Sequence, residues 1–141
     1  MQSGPQHKAL CGSPVVTELE KDLAGPIENA MKKADSSYTA ACNAYLCRGY
    51  QFADNASNAR TVKTGDEIAF HVDIVAGHRP ARANVSIVDT KMNEVLAEDF
   101  NVTIPALGSE CQTKGRCAIQ WFWYVPKGTQ TYESCVDIVT A

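Results

Sequence analysis

The chain contains 141 residues and carries a formal net charge of −3, from 13 basic and 16 acidic side chains. This length favours one domain, and a composition of 45% hydrophobic and 21% charged residues is typical of a globular protein. The mild acidity argues against nucleic acid as a partner, because nucleic-acid-binding surfaces concentrate Lys and Arg. No stretch of the sequence approaches the roughly 18 consecutive apolar residues of a transmembrane helix, so no membrane span is predicted.

Cysteines and glycosylation sequons predict the compartment. The six cysteines include no C-x2-C pair, which argues against a zinc site, and their even number permits full pairing without indicating which residues pair. Three N-x-S/T sequons begin at Asn55, Asn84 and Asn101. Together these features predict a secreted, disulfide-bonded glycoprotein. Because Met1–His7 contains no apolar signal segment, secretion requires a signal that has been removed or that lies ahead of residue 1.

The first part of the chain, residues 1 to about 60, has the pattern of helices and loops. Helical spacing of apolar residues over Val15–Leu23 predicts one helix, and Gly25-Pro26 ends it. A second short helix is predicted over Ile27–Ala34. Cys42 and Cys47 then bracket a compact loop. We interpret this region as a helical and loop insertion beside the main fold.

Residues 61–141 have the alternation of β-strands. In the first predicted strand, Ile68, Phe70, Val72 and Ile74 share one face. Further strands are predicted over 84–89, within 94–104, and over 118–125 and 130–139, with Pro126–Thr129 as a hairpin connection. The sequence therefore predicts a mainly β protein. Its expected architecture is a single domain over residues 1–141, an immunoglobulin- or fibronectin-like antiparallel β-sandwich.

Standard catalytic signatures are missing from the sequence. The candidate site residues must therefore be chosen from individual side chains. Among the three histidines, His7 is expected in a solvated leader and His71 within a strand. His78 follows the predicted strand in a loop, which is where a rigid scaffold commonly carries function. On the last strand, Gln130 and Tyr132 are two residues apart and share one face.

Two segments of the sequence resemble one enzyme family. They are Gly65-Asp66 followed by an apolar strand and Gly77-His78-Arg79-Pro80, and the motif Gln130-x-Tyr132-x-x-Cys135-x-x-Ile138 after the aromatic strand Gln120-Trp-x-Trp. Over residues 60–141 the chain is similar to the fungal lytic polysaccharide monooxygenases, which are copper enzymes on a β-sandwich. The resemblance implies a monomer that acts on the surface of chitin or a related polysaccharide.

The resemblance also implies roles for individual residues. His78 corresponds to the second copper-binding imidazole, Tyr132 to the axial ligand, and Gln130 to the hydrogen-bonding residue beside the metal. Copper(II) prefers tetragonal nitrogen ligands, which suits an imidazole. Cys135 corresponds to a cysteine that is disulfide-bonded in the family. The family also requires an N-terminal histidine, whereas this chain begins with Met1, so the copper site is incomplete and the chain as written is expected to be inactive.

Two other functions remain open on the sequence alone. The first is a non-catalytic carbohydrate-binding or cell-wall-associated β-sandwich, in which Trp121, Trp123, Tyr124 and Tyr132 stack against sugar rings. Against this, the apolar row that contains Trp121 and Trp123 is typical of a core. The second is an immunoglobulin-like structural protein without a ligand site.

Overall fold

The computed structural model describes residues 1–98 and 103–141, and the α-helices of this described part lie before residue 60. They are α1 (Pro5–Cys11), α2 (Ser13–Lys21), α3 (Ile27–Met31) and α4 (Phe52–Asn55). Helices α2 and α3 correspond to the two predicted helices. The apolar side chains of α1, α2 and α3 meet in one small core, which includes Cys11, Val16, Leu19 and Ile27.

The strands form one five-stranded sheet, and the predicted mainly β class is confirmed. They are β1 (Arg60–Val62), β2 (Arg82–Asp89), β3 (Glu94–Glu98), β4 (Cys117–Val125) and β5 (Gln130–Thr140), in the spatial order β1-β5-β4-β2-β3. All neighbours are antiparallel except β1 and β5, which are parallel. Because a long connection rather than a hairpin joins β1 to β5, their directions are not forced to oppose, and the sheet is mixed rather than purely antiparallel.

The predicted strand over residues 67–75 does not form a regular strand. Its only backbone pairing within the described residues is a single antiparallel bridge between Glu67 and Thr103. The residues of this segment that follow Glu67 are mostly exposed, including Ile74 at 60% and Val75 at 81%. Side-chain alternation predicts which faces a strand would present, but a strand also needs a neighbour with which to share hydrogen bonds. That neighbour is not found in the described part of the chain.

The two faces of the sheet pack against different parts of the chain. One face carries Ile87, Ile119 and Ile138, which pack with Ile104 and the Cys111–Cys117 region. On the other face, Val88, Ala118 and Cys135 pack with Cys47 of the helical region and with Met1. The α-amino group of Met1 donates a hydrogen bond to the Cys135 carbonyl oxygen at 2.9 Å. The helices therefore cover one face of the sheet, and irregular chain covers the other.

All six cysteines are paired, as the sequence predicts. The bonds are Cys11–Cys42 within the helical region, Cys47–Cys135 between the helical region and β5, and Cys111–Cys117 at the start of β4. Cys47 and Cys135 are 88 residues apart, so loop-closure entropy assigns this bond roughly 4–5 kcal/mol of stabilisation. This pattern is typical of proteins that fold in an oxidising compartment.

The three sequon asparagines differ in their position in the fold. Asn55 is fully buried: its amide oxygen accepts a hydrogen bond from the backbone N–H of Gln2, and its amide nitrogen donates to the carbonyl oxygens of Gln2 and Gln51. Asn55 is therefore a structural residue in the folded chain rather than a glycan acceptor. Asn84 lies on β2 and is half-buried. Asn101 lies outside the described residues. Over residues 1–98 and 103–141, no helix is long and apolar enough to cross a bilayer.

Candidate functional site

The structure brings His78 and Tyr132 together, although they are 54 residues apart in the chain. His78 lies in the loop before β2, and Tyr132 is the third residue of β5. Their Nε2 and Oη atoms are 3.1 Å apart, which is hydrogen-bond distance. An imidazole with its proton on Nδ1 accepts this bond from the phenol hydroxyl. The two residues that the resemblance assigns to the metal are therefore direct neighbours.

Aromatic rings surround this pair. The ring of Trp123 is 5.0 Å from that of Tyr132 and 5.7 Å from that of His78, measured between centroids. The centroid of the Trp121 ring is 6.1 Å from that of the Trp123 ring. These separations fall in the range of favourable aromatic contacts. Neither tryptophan is fully buried, so the row is only partly a core feature.

The β4–β5 hairpin explains why these rings meet. The turn after Val125 sets the register in which Trp123 lies opposite Tyr132 and Trp121 lies opposite Ser134. Side chains directly opposite on antiparallel strands are close neighbours, and residues two apart share a face. The hairpin therefore produces a row of aromatic side chains on one face of the sheet, and His78 reaches that row from its loop.

Burial keeps the Tyr132 phenol neutral. The pKa of Tyr132 is raised, first by desolvation and then by the negative charges of Glu28 and Asp22. A neutral phenol retains its proton for the hydrogen bond to His78. It is also a weak metal ligand, since metal binding favours the deprotonated oxygen.

The other residues selected from the sequence lie elsewhere. Gln130 begins β5 opposite Val125, and its side-chain oxygen lies near Gly128 in the hairpin rather than in the His78–Tyr132 hydrogen bond. His71 is in the exposed segment, with its Nε2 atom 3.4 Å from an Asp73 carboxylate oxygen.

The expectation for His7 is wrong. It lies in α1 and is completely buried, with Nδ1 3.0 Å from the Ser3 hydroxyl and Nε2 3.2 Å from the Arg48 carbonyl oxygen. Desolvation lowers the pKa of His7, which keeps the ring neutral. The helix that begins at Pro5 holds this ring inside the protein, where its centroid is 4.9 Å from that of the Tyr50 ring.

The donors at the candidate site do not by themselves fit a copper centre. Copper(II) in a tetragonal site needs several nitrogen or oxygen donors in one plane. Here one imidazole, that of His78, stands beside one neutral phenol. Over residues 1–98 and 103–141 there is no cluster of three or more His, Cys, Asp or Glu side chains arranged to hold a metal ion.

A large cavity adjoins the aromatic row. Its volume is about 890 Å³, which is within the range of small-molecule binding sites. The exposed segment of residues 67–76 lines one side, and Trp121, Trp123 and Tyr132 line another. The cavity also reaches Arg48 and Glu133.

Arg48 and Glu133 belong to a buried polar network that the sequence did not predict. The Arg48 guanidinium donates to the carbonyl oxygens of Leu19, Asp22 and Gly25, and its backbone N–H donates to Glu133 Oε2 at 2.9 Å. Burial raises the pKa of Glu133 from 4.5 to about 7. The alternation of β5 already indicates that Glu133 faces away from Tyr132, but no sequence pattern connects it to Arg48.

The comparisons with known proteins do not name a family. No protein-family model matches the sequence, and no curated protein is significantly similar to it. The functional argument therefore depends on the residues of the site.

Proposed function

We propose that this chain is a secreted protein of the lytic polysaccharide monooxygenase type, with His78 and Tyr132 as its contribution to a copper site acting on chitin or a related polysaccharide. The observation that supports this most is the 3.1 Å contact between His78 Nε2 and Tyr132 Oη. Two motifs far apart in the sequence, selected for the same site, supply the two atoms of this contact.

Secretion is part of the same proposal. Three disulfides in a chain of this length are typical of extracellular proteins. A polysaccharide-degrading enzyme requires this location because its substrate is an insoluble polymer outside the cell.

The His78–Tyr132 pair by itself is expected to bind copper weakly. One imidazole and one neutral phenol bind copper weakly, so we expect the chain by itself not to oxidise polysaccharide. Copper at His78 Nε2 must also displace the hydrogen bond from Tyr132, which lowers the affinity further. Gln130 is assigned to the same site by resemblance, and it reaches the pair only if its side chain turns away from the hairpin.

Calorimetric titration of copper(II) tests the proposal. We expect weak, one-site binding to the unmodified chain and loss of that binding in His78→Ala. The matched control is His71→Ala, which removes an imidazole with 88% exposure from the segment next to His78. Equal binding by all three proteins would show that His78 is not a copper ligand, and the proposal would then fail.

A second candidate function is non-catalytic carbohydrate binding. It is favoured by the position of Trp121 and Trp123 beside the cavity, because partly exposed indole rings there are available to pack against a sugar ring. Co-sedimentation with insoluble chitin and cellulose distinguishes this function from a copper-dependent one. Retention on the polymer that is unchanged by a chelator supports it, and absence of retention under either condition excludes it.

A further inference from the structure

We propose that the cavity beside the aromatic row is a binding site for one end of a neutral oligosaccharide, with the Trp121–Trp123 rings as its stacking surface and the buried Arg48–Glu133 pair as its hydrogen-bonding end. This inference deepens the carbohydrate-binding part of the proposed function, on which it rests. It does not depend on copper.

The shape of the cavity follows from the edge of β5. Tyr132 and Glu133 are consecutive residues on opposite faces of this strand, yet both line the cavity. The cavity therefore extends around the strand edge. That edge is free of a neighbouring strand in the described residues except at Ile138–Thr140, where β1 pairs.

The polar end has unused hydrogen-bonding capacity. Arg48 and Glu133 are 4% and 5% exposed, and in the described part of the chain Arg48 Nε and Glu133 Oε1 have no hydrogen-bond partner. A buried donor or acceptor without a partner costs about 1–3 kcal/mol. A ligand that supplies both a hydroxyl donor and a hydroxyl acceptor removes this cost, which is the chemistry of a sugar ring.

The aromatic surface favours the same ligand. A pyranose ring with equatorial hydroxyls presents C–H groups on its faces, and these pack against the faces of Trp rings. The Trp121 and Trp123 rings are inclined at 39° with centroids 6.1 Å apart, so they form a continuous but not flat surface. A volume of about 890 Å³ has room for more than one sugar ring.

The charges around the cavity select against acidic saccharides. Asp22, Glu67 and Asp73 line it, against Arg48 and Arg60 as the permanently positive groups. The guanidinium of Arg48 already donates from both terminal nitrogens to carbonyl oxygens, so only Nε remains and the paired hydrogen bonds that a carboxylate ligand prefers are not available. A neutral glucose- or N-acetylglucosamine-based oligosaccharide is therefore the expected ligand class.

Tryptophan fluorescence tests the proposal directly, because both tryptophans of the chain line the cavity. The probes are N-acetylated chitotetraose and cellotetraose, with tetragalacturonate as the acidic comparison. We expect a saturable spectral change with at least one neutral probe at a Kd of about 1 mM or tighter, and at least about tenfold weaker binding of the acidic one.

Two variants locate the ligand, and one controls for general effects. Trp123→Ala removes part of the stacking surface and is expected to weaken binding about tenfold or more, read from the remaining Trp121 and by calorimetry. Ser134→Arg places a bulky cation opposite Trp121 on an exposed strand position, so it obstructs the cavity without removing core atoms. Tyr45→Ala removes a 48% exposed aromatic side chain outside the cavity and is expected to change nothing.

Three results would overturn the proposal. They are no saturable change with either neutral probe, stronger binding of the acidic probe, or unchanged binding in a folded Ser134→Arg variant. If neutral probes bind but copper binding is independent of His78, the saccharide site stands while the copper proposal fails. The reverse outcome, a copper site without saccharide binding in the cavity, contradicts the saccharide site alone.

Discussion

Replacement of Glu133 by glutamine is expected to change how the stability of the protein depends on pH. Glu133 is buried between β5 and the helical region, where it accepts a hydrogen bond from Arg48 N and faces the negative charge of Glu28. Its pKa rises from 4.5 to about 7, mainly because burial penalises the charged carboxylate. In the folded state Glu133 therefore holds its proton up to a higher pH than in the unfolded state.

The sign and size of the effect follow from this shift. Below pH 4.5 the carboxyl is protonated in both states and costs nothing. As the pH rises from there to about 7, the unfolded state releases its proton first, so the free energy of unfolding falls. Above that range the loss is complete and amounts to about 3 kcal/mol. The amide introduced by Glu133→Gln retains an oxygen for the Arg48 N–H and carries no charge to desolvate.

Urea denaturation with the disulfides intact measures this difference. We expect Glu133→Gln and the unmodified chain to differ little near pH 4, and the variant to be more stable by up to about 3 kcal/mol near pH 8. The pKa of Asp137 is also raised, to about 6, but it titrates in both proteins and cancels in their difference. Glu20→Gln, at a carboxylate with 45% exposure, is the control. Stability differences that stay constant across this pH range would refute the reasoning.

Two further substitutions test the helical region. Gly49→Ala is expected to destabilise the chain by about 2–4 kcal/mol in the same denaturation assay. Gly49 has φ +74°, and an added Cβ would lie 2.8 Å from the sulfur atoms of both Cys11 and Cys42. An unchanged denaturation midpoint would contradict this backbone conformation. Asn55→Ala is expected to cost about 2–4 kcal/mol through loss of its buried hydrogen bonds to Gln2 and Gln51, and detection of a glycan at Asn55 in the folded protein would contradict that role.

Local patterns in the sequence predicted the elements that local interactions determine. The Pro126–Thr129 turn and the alternating strands on either side of it predicted the β4–β5 hairpin, because turn residues and strand alternation act over a few residues. Apolar spacing and the Gly25-Pro26 break likewise predicted α2 and α3. The hairpin alone places Trp123 opposite Tyr132, without any contribution from residues far away in the chain.

Features that depend on distant residues were not available from the sequence. Residues 67–75 alternate like a strand, but regular strand structure requires a neighbour, and alternation carries no information about one. Cys47 pairs with Cys135 because the helical region covers that face of the sheet, which cysteine spacing does not encode. The Arg48–Glu133 contact depends on the same packing. The proximity of His78 and Tyr132 was expected only from the resemblance to a family.

Electron paramagnetic resonance of the copper(II)-loaded chain tests the central claim most directly, because nitrogen coupling in the spectrum reports whether an imidazole binds the metal and the variants identify the residue. If His78 is the copper-binding imidazole, the unmodified chain and His71→Ala will show the same imidazole nitrogen coupling, and His78→Ala will lose it. Tyr132→Phe will retain the nitrogen coupling, because the imidazole of His78 remains and the neutral phenol is only a weak ligand. A spectrum that is identical in the unmodified chain and in His78→Ala would contradict the assignment of this site to copper.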